Sequence, residues 1–567
     1  MQLSILDWAI VLVILSSTMV IGFVVSKRAA KSSASFFLAG QSMPWWLLGV
    51  SMVATTFAAD TPNLVTDIVR SQGVSGNWVW WAMLLTGMLT TFVYAKLWRR
   101  LGITTDVEFY EHRYTGKPAR FLRGFRALYL GIFFNVMIMA NVTLAAVKIG
   151  SVLFGIDPTM VIIFACLITV VFSTLGGFLG VLITDLILFV IAMVGSVTAA
   201  YFAVSHPTVG GVENLLSHPA VVDKLAFVPD FSNPEMYMPL LIIPLLVQWW
   251  SVWYPGSEPG GGGYIAQRML AAKNENHAVA ASAFFNLCHY AVRPWPWIIV
   301  ALASIIVYPD LASLQQAFPN VPEHLVKDDL AYSAMLTFLP AGVLGLVVAS
   351  LVSAYVSTIS TSLNWGASYF VNDFYARFIK QDASDKQQVF VGRVATVLLM
   401  VCASLMALVL ENALQGFRLL MTIGAGTGLL FLLRWFWGRI NAWSEISAMV
   451  FSFFFSMLFE FGPFEESVGW QKMLLSVGLT TAAWIIVTLL TQPESEQTLN
   501  TFWQRIQFSR EELTKGLVIA AVATVGTYSA LFATGAWFYQ DWLFAMGMSA
   551  VAVVSGFVTF KYGIRAE

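Results

Sequence analysis

Long apolar runs dominate the chain, and short polar segments separate them. About 20 apolar residues in a helix suffice to cross the hydrocarbon core of a bilayer, so the pattern predicts about fifteen membrane-spanning helices. Their approximate ranges are 5–26, 44–70, 77–98, 124–151, 158–176, 180–204, 237–256, 277–307, 333–375, 388–410, 414–438, 442–460, 470–491, 515–537 and 541–561. We therefore expect an all-α, polytopic membrane protein.

Two of these spans are interrupted by polar or helix-breaking residues. The span 44–70 contains Asp60, Thr61 and Pro62, and the span 237–256 runs into a segment rich in proline and glycine. An acid at the bilayer centre costs roughly 2.5–3.5 kcal/mol, and a proline removes a backbone donor. Irregular backbone at this depth is tolerated only where protein or a water-filled cavity satisfies it. Both breaks are therefore expected to line a cavity.

The two broken spans stand at matching positions. Each opens a block of five spans, residues 44–204 and 237–440, and the blocks enter the membrane from opposite sides. Broken helices at matching places of two inverted repeats point to the central site of a secondary transporter. We predict a leading helix within 1–32, the two repeats, and further helices within 441–567.

Lys and Arg are concentrated in alternate loops, for example in residues 96–126. The opposite loops, 205–236, 308–332 and 461–469, carry few of them. Basic loops face the cytoplasm. We therefore expect the N-terminus outside the cell membrane and the C-terminus inside.

The composition agrees with a membrane protein and excludes other classes. Only 11% of the 567 residues are charged and 58% are hydrophobic, whereas soluble domains have roughly 25% charged residues. The net charge of −1 provides no basic surface for nucleic acid. The cysteines and histidines show no metal-site spacing, and no nucleophile–base pattern indicates an enzyme.

A polar stripe runs along the ninth span. Ser353, Ser357, Ser360, Thr361 and Asn364 share one helical face, and Thr358 lies at its edge. Such a stripe either lets helices pack closely or supplies oxygen ligands to a hard cation. Asp185 places a lone carboxylate in another span, where acids usually have a function.

Four ordered motifs resemble the sodium/solute symporter family, whose members carry sugars, proline, sialic acid or vitamins with sodium. They are SFFLAGQSMPWW (35–46), GGFLGVLITD (176–185), YIAQRMLAAKN (264–274) and VSTISTSLN followed by DFY (356–375). The resemblance implies a LeuT-like fold with a 5+5 inverted-repeat core. The last third of the chain resembles the family only in topology.

The resemblance also implies sodium ligands. One set comprises the carbonyls of Ala54, Phe57 and Ala354 and the hydroxyls of Ser357 and Thr358. The second set, present in some members, comprises Asp185, Ser357, Ser360 and Thr361. Na+ is therefore the expected coupling ion.

The substrate cavity is expected where the two breaks meet. Its candidate residues are Asp60, Thr61, Trp253, Tyr254, Glu258 and Arg293. The aromatic residues would stack on a sugar or attract an organic cation, although tryptophans also form belts at membrane interfaces. Arg293 would neutralise an acid or bind a carboxylate. The sequence YPGSEPGGGG departs from the family pattern, so the solute is left open among sugars, amines and amino-acid-like molecules.

We therefore predict sodium-coupled symport of a small polar organic solute by alternating access, by a protein that is not an enzyme. One alternative is a proton-coupled carrier in which Asp185 or Asp60 titrates. Another is a membrane sensor with a transporter fold, which is disfavoured because no output domain follows the last span.

Overall fold

The structure, a computed structural model, describes residues 3–29, 39–103, 105–175, 178–252, 258–410, 413–462 and 469–564. Over these residues it is helical, with one isolated β-bridge, between Met43 and Ala272. The main helices are α1 Ile5–Ala29, α2 Trp45–Thr56, α3 Asp60–Gln72, α4 Val74–Leu101, α5 Gly116–Phe154, α6 Pro158–Leu175, α7 Phe178–Val204, α8 Pro234–Leu246, α9 Gly263–Ala271, α10 Glu275–Val307, α11 Val343–Ile379, α12 Asp385–Ala407, α13 Ala413–Leu433, α14 Ala442–Phe461, α15 Gly469–Leu490, α16 Arg510–Phe538 and α17 Trp542–Thr559.

The apolar character of these helices agrees with a multi-pass membrane protein. Among the described residues, 10 helices are long and apolar enough to cross a membrane, and five shorter apolar helices accompany them. α17 exposes large apolar side chains such as Leu543 and Val553, as a lipid-facing helix does. The total of about fifteen spans remains a prediction.

The first predicted break is present, but it lies before Asp60 and not at it. α2 ends at Thr56, Phe57 leaves the helical conformation with φ −85° and ψ 76°, and α3 begins at Asp60. Pro62 is therefore in the first turn of α3. A proline is tolerated there because the backbone N–H groups of a first turn have no helical partner. The break thus lies about one helical turn before the predicted position.

The second break lies between α8 and α9. α8 ends at Leu246, a single 3-10 turn covers Gln248–Trp250, and helix resumes at Gly263. Residues 253–257, within this stretch, lie outside the described residues.

The first residues of this break lie directly against two glycines of α13. The Val252 N–H donates to the Gly424 carbonyl at 3.4 Å. A methyl group added at Gly428 would come within 1.6 Å of the Trp250 carbonyl oxygen. The close approach therefore requires glycine at this point of α13.

The predicted span 333–375 is also divided. A short helix, Leu330–Leu336, is followed by Gly342 with φ +85°, and α11 starts at Val343. A positive φ is unfavourable for residues with a Cβ, so glycine allows the chain to turn there. The membrane helix consequently begins ten residues later than predicted.

Two ion pairs hold the segment between α10 and α11 against the core. Lys148 Nζ of α5 contacts both carboxylate oxygens of Asp329, at 2.6 and 2.7 Å, and both side chains are almost fully buried. Arg70 Nε of α3 contacts Asp328 at 2.7 Å. The adjacent acids therefore connect this segment to two different helices.

A further charged group, the Glu111 cluster, consists of Glu111 between α4 and α5, Arg123 of α5, and Asp373 and Arg377 near the end of α11. Arg123 contacts Glu111 at 2.6 Å and Asp373 at 2.5 Å, and Arg377 also pairs with Glu111. These contacts join the segment before α5 to the last turns of α11.

Candidate functional site

Three helices meet at the centre of the molecule. α2, α7 and α11 pack against one another, and their facing residues are buried. The geometry brings together the end of α2, the carboxylate of α7 and the polar stripe of α11.

Asp185 joins the three helices through hydrogen bonds. Its carboxylate accepts from the hydroxyl of Ser51 on α2 and from that of Ser357 on α11, each at 2.6 Å. Asp185 itself is 0% exposed. Arg268 of α9 supplies a positive charge nearby, because its Nε and Nη2 each lie 3.3 Å from the Ser51 hydroxyl.

The polar stripe of α11 faces this centre and contains hydroxyls that the protein leaves unpaired. Ser353, Ser360 and Thr361 are buried, and their hydroxyl oxygens have no hydrogen-bond partner among the residues that the structure describes. Leaving a buried polar group unsatisfied costs about 1–3 kcal/mol. Close packing of helices does not require these hydroxyls to be unpaired. Together with Asp185, the hydroxyls of Ser360 and Thr361 form a set of oxygen atoms suited to a hard cation.

The first set of predicted sodium ligands lies where α2 ends against α11. Ala54 and Phe57 are at the end of α2, and Ala354, Ser357 and Thr358 are on α11; all five are buried. Thr358 Oγ1 donates to the carbonyl of Thr55, between Ala54 and Phe57, at 3.1 Å. The structure therefore brings the two halves of this set together.

Asp60, Thr61 and Arg293 line a common cavity of about 50 Å³ beside the first break. The remaining lining residues are Thr56, Ala58, Leu64, Val65, Trp80, Ile138, Asn141, His289 and Phe417. Asn141 Nδ2 approaches the Asp60 carboxylate at 3.4 Å. Three of the predicted substrate residues thus share one site.

Glu258 does not belong to this cavity. It is 2% exposed, pairs with Arg126 of α5, and lines a different cavity of about 30 Å³ together with Thr86 and Asn286. A buried carboxylate requires a counter-charge, and Arg126 provides it. The prediction that Asp60 and Glu258 flank one cavity is therefore not met by this structure. Trp253 and Tyr254 lie outside the described residues.

Sequence reasoning missed three residues of the site. Ser51 lies within an apolar run and was therefore not recognised as a site residue, although it lies one helical turn before Thr55. Asn141 is an uncharged polar residue in the middle of a membrane helix, a type that usually has a role. His289 stands four residues before Arg293, so both occupy one helical face, and their side chains are 2.8 Å apart.

Comparison with known proteins identifies a family for this architecture. The model of the sodium:solute symporter family matches residues 36–451, well over half of the chain. The sodium/glucose cotransporter of Vibrio parahaemolyticus is 29% identical over 482 residues, covering 82% of this chain and 86% of that protein. The sodium/sialic acid symporter SiaT of Proteus mirabilis is 24% identical over 516 residues, covering 87% and 98%.

A solved structure supports the same fold. The substrate-bound, outward-open state of a Na+-coupled sialic acid symporter matches with a TM-score of 0.68 and 21% identity, over 87% of this chain and 99% of that one. The expected LeuT-like fold is thereby confirmed. The relatives support sodium-coupled solute symport rather than enzymatic activity, and they give no support to the proton-coupled alternative. Because the family model matches residues 36–451, the chain belongs to the sodium:solute symporter family.

Proposed function

We propose that this protein carries a small polar organic solute into the cell together with Na+, by alternating access. The solute binds in the cavity lined by Asp60, Thr61 and Arg293, beside the break between α2 and α3. The N-terminus faces the outside of the cell membrane and the C-terminus faces the cytoplasm. Relatives named for glucose and for sialic acid support a polar organic solute.

One sodium ion binds to Asp185, Ser357, Ser360 and Thr361. The observation that carries this assignment is the buried carboxylate bonded to Ser357, together with the Ser360 and Thr361 hydroxyls on the same helix, which have no hydrogen-bond partner in the described part of the chain. A bound cation would supply the interaction that both oxygens lack, and it would offset the burial of the carboxylate.

A second ion binds where α2 ends. The carbonyls of Ala54, Phe57 and Ala354 and the hydroxyls of Ser357 and Thr358 are its ligands. The broken helix supports this assignment, because Phe57 leaves the helical conformation and its carbonyl lies beyond the last turn of α2, although the Ala54 carbonyl already accepts the Phe57 N–H at 3.1 Å. Ser357 belongs to both sets.

Sodium entry supplies the free energy for solute uptake. A charge that crosses a potential of 100 mV releases about 2.3 kcal/mol. At about 1.4 kcal/mol per tenfold change, this supports roughly a fifty-fold solute gradient for each ion.

A sodium titration of the purified protein tests the ion site. Thermal stability is measured in detergent at constant ionic strength, with sodium replacing potassium or choline. A site filled at 100 times its dissociation constant adds about 2.7 kcal/mol to the free energy of unfolding. We expect Ser360→Ala and Asp185→Asn to weaken the apparent sodium affinity at least tenfold.

Ser353→Ala is the matched control, because Ser353 is on the same helix and its buried hydroxyl also lacks a partner, but it belongs to neither sodium set. Its sodium affinity should equal that of the unchanged protein. Equal weakening by Ser353→Ala and Ser360→Ala would contradict the assignment. Sodium coupling itself would be contradicted if low pH, and not sodium, stabilised the protein and Asp185→Asn abolished that effect.

A further inference from the structure

Among the residues that the structure describes, no acidic side chain lies at contact distance from Arg293, a buried cation. It is 1% exposed, and its Nη1 donates to the carbonyl of Val53 at 3.2 Å and to the hydroxyl of Thr56 at 3.1 Å. Its Nη2 lies 2.8 Å from His289, and its Nε has no hydrogen-bond partner. Buried arginines are normally paired with carboxylates, so this side chain lacks an anion.

Asp60 presents the opposite charge to the same cavity. It occupies the first turn of α3, where the helix dipole favours a negative charge, and the 3.4 Å contact from Asn141 is its side-chain hydrogen bond. Within the described part of the chain, neither Asp60 nor Arg293 forms an ion pair with a side chain. The cavity thus contains one unpaired acid and one unpaired base.

The rest of the lining restricts the size of a ligand. Leu64, Val65, Ile138 and Phe417 are apolar, and they leave about 50 Å³ between the charged groups. One water molecule needs roughly 10–15 Å³ of cavity volume, so this cavity has room for about four water molecules. That suits a molecule of a few heavy atoms better than a sugar ring.

We propose that the transported solute is a small zwitterion, such as an amino acid or a betaine. Its carboxylate contacts the guanidinium of Arg293, and its ammonium group contacts the carboxylate of Asp60. A neutral sugar would form an ion pair with neither group, and a simple anion or amine would pair with only one of them. This inference rests on the proposed function, and it narrows the solute class for the same cavity.

A ligand panel on the full-length protein tests this inference. Thermal stability is measured at saturating sodium with the twenty amino acids and glycine betaine, and with glucose, propionate and isopropylamine as comparison compounds. We expect at least one zwitterion to stabilise the protein and to bind at least tenfold more tightly than every comparison compound. Tighter binding of glucose, or a protein that responds to sodium but to no zwitterion, would overturn the proposal. Absence of the sodium response would instead indicate failure of the proposed function.

Variants at the two charges test the binding orientation. Asp60→Asn and Arg293→Gln should each weaken zwitterion binding at least tenfold, whereas Arg293→Lys, which keeps the charge, should weaken it less than Arg293→Gln. Retention of the sodium response shows that each variant is folded. A variant that keeps the sodium response and binds the zwitterion unchanged would refute the assigned contact.

Discussion

The buried ion pair between Lys148 and Asp329 allows a quantitative test of how the segment between α10 and α11 is held. The side chains are 0% and 1% exposed, with Nζ–oxygen distances of 2.6 and 2.7 Å. Removing one partner of such a pair leaves the other charge buried and costs about 3–5 kcal/mol. Replacing both by apolar residues of similar volume is often nearly neutral, because no buried charge remains.

The experiment is a double-mutant cycle with Lys148→Met, Asp329→Leu and the combination. We expect each single variant to lose about 3–5 kcal/mol of stability and the double variant to lose much less than the sum. Stability is measured by unfolding in detergent at fixed sodium concentration. The control is the same kind of cycle on Lys96 and Glu512, whose charged groups are 3.3 Å apart and whose side chains are 25% and 33% exposed. This cycle should give a coupling free energy of about 0–1 kcal/mol. The reasoning would be refuted if the stability losses of Lys148→Met and Asp329→Leu were additive. It would also be refuted if either single variant lost less stability than the single variants of the control pair.

Two further predictions concern packing and pH. Gly428→Ala should prevent correct folding or sharply reduce expression, because its methyl group would lie 1.6 Å from a carbonyl oxygen. Gly478→Ala should be tolerated, because no atom lies within 4 Å of the added group. Size-exclusion profiles of the two variants test this difference. Burial alone would raise the pKa of Glu111, but hydrogen bonds and charge from Arg123 and Arg377 outweigh it and lower the pKa from the ordinary 4.5. The stabilisation from Glu111 is therefore complete above pH 4.5 and is lost as the pH falls through the lowered pKa, so unfolding curves of Glu111→Gln should show a smaller loss of stability in acid. An acid response identical in the variant would exclude Glu111 as its source.

The sequence predicted the membrane helices and the presence of the breaks because both depend on local composition. Apolar length identifies a span, and a proline beside an acid identifies an irregularity. The location of the break could not be read in the same way. Pro62 can end a helix or occupy its first turn, and only the packing of Phe57 and Asp60 in the folded chain decides between these positions.

The candidate site was predictable where its residues share one helix. Ser357, Ser360 and Thr361 follow from a period of 3.6 residues, so their common face was evident. The periodicity within one helix does not show which residues of different helices contact one another. The pairing of Glu258 with Arg126 joins residues 132 positions apart, and the hydrogen bond from Ser51 to Asp185 joins residues 134 apart.

The contact between α13 and the first residues of the second break has a consequence for how the protein can change in evolution. Gly424 and Gly428 are four residues apart, so both face the backbone at Trp250 and Val252. One inserted residue would rotate the following turns of α13 by about 100°, because a helical turn has 3.6 residues. A side chain would then replace glycine at the point of contact. Insertions and deletions should therefore be excluded from this helix and fall in the connecting loops, even where the sequence around the two glycines varies.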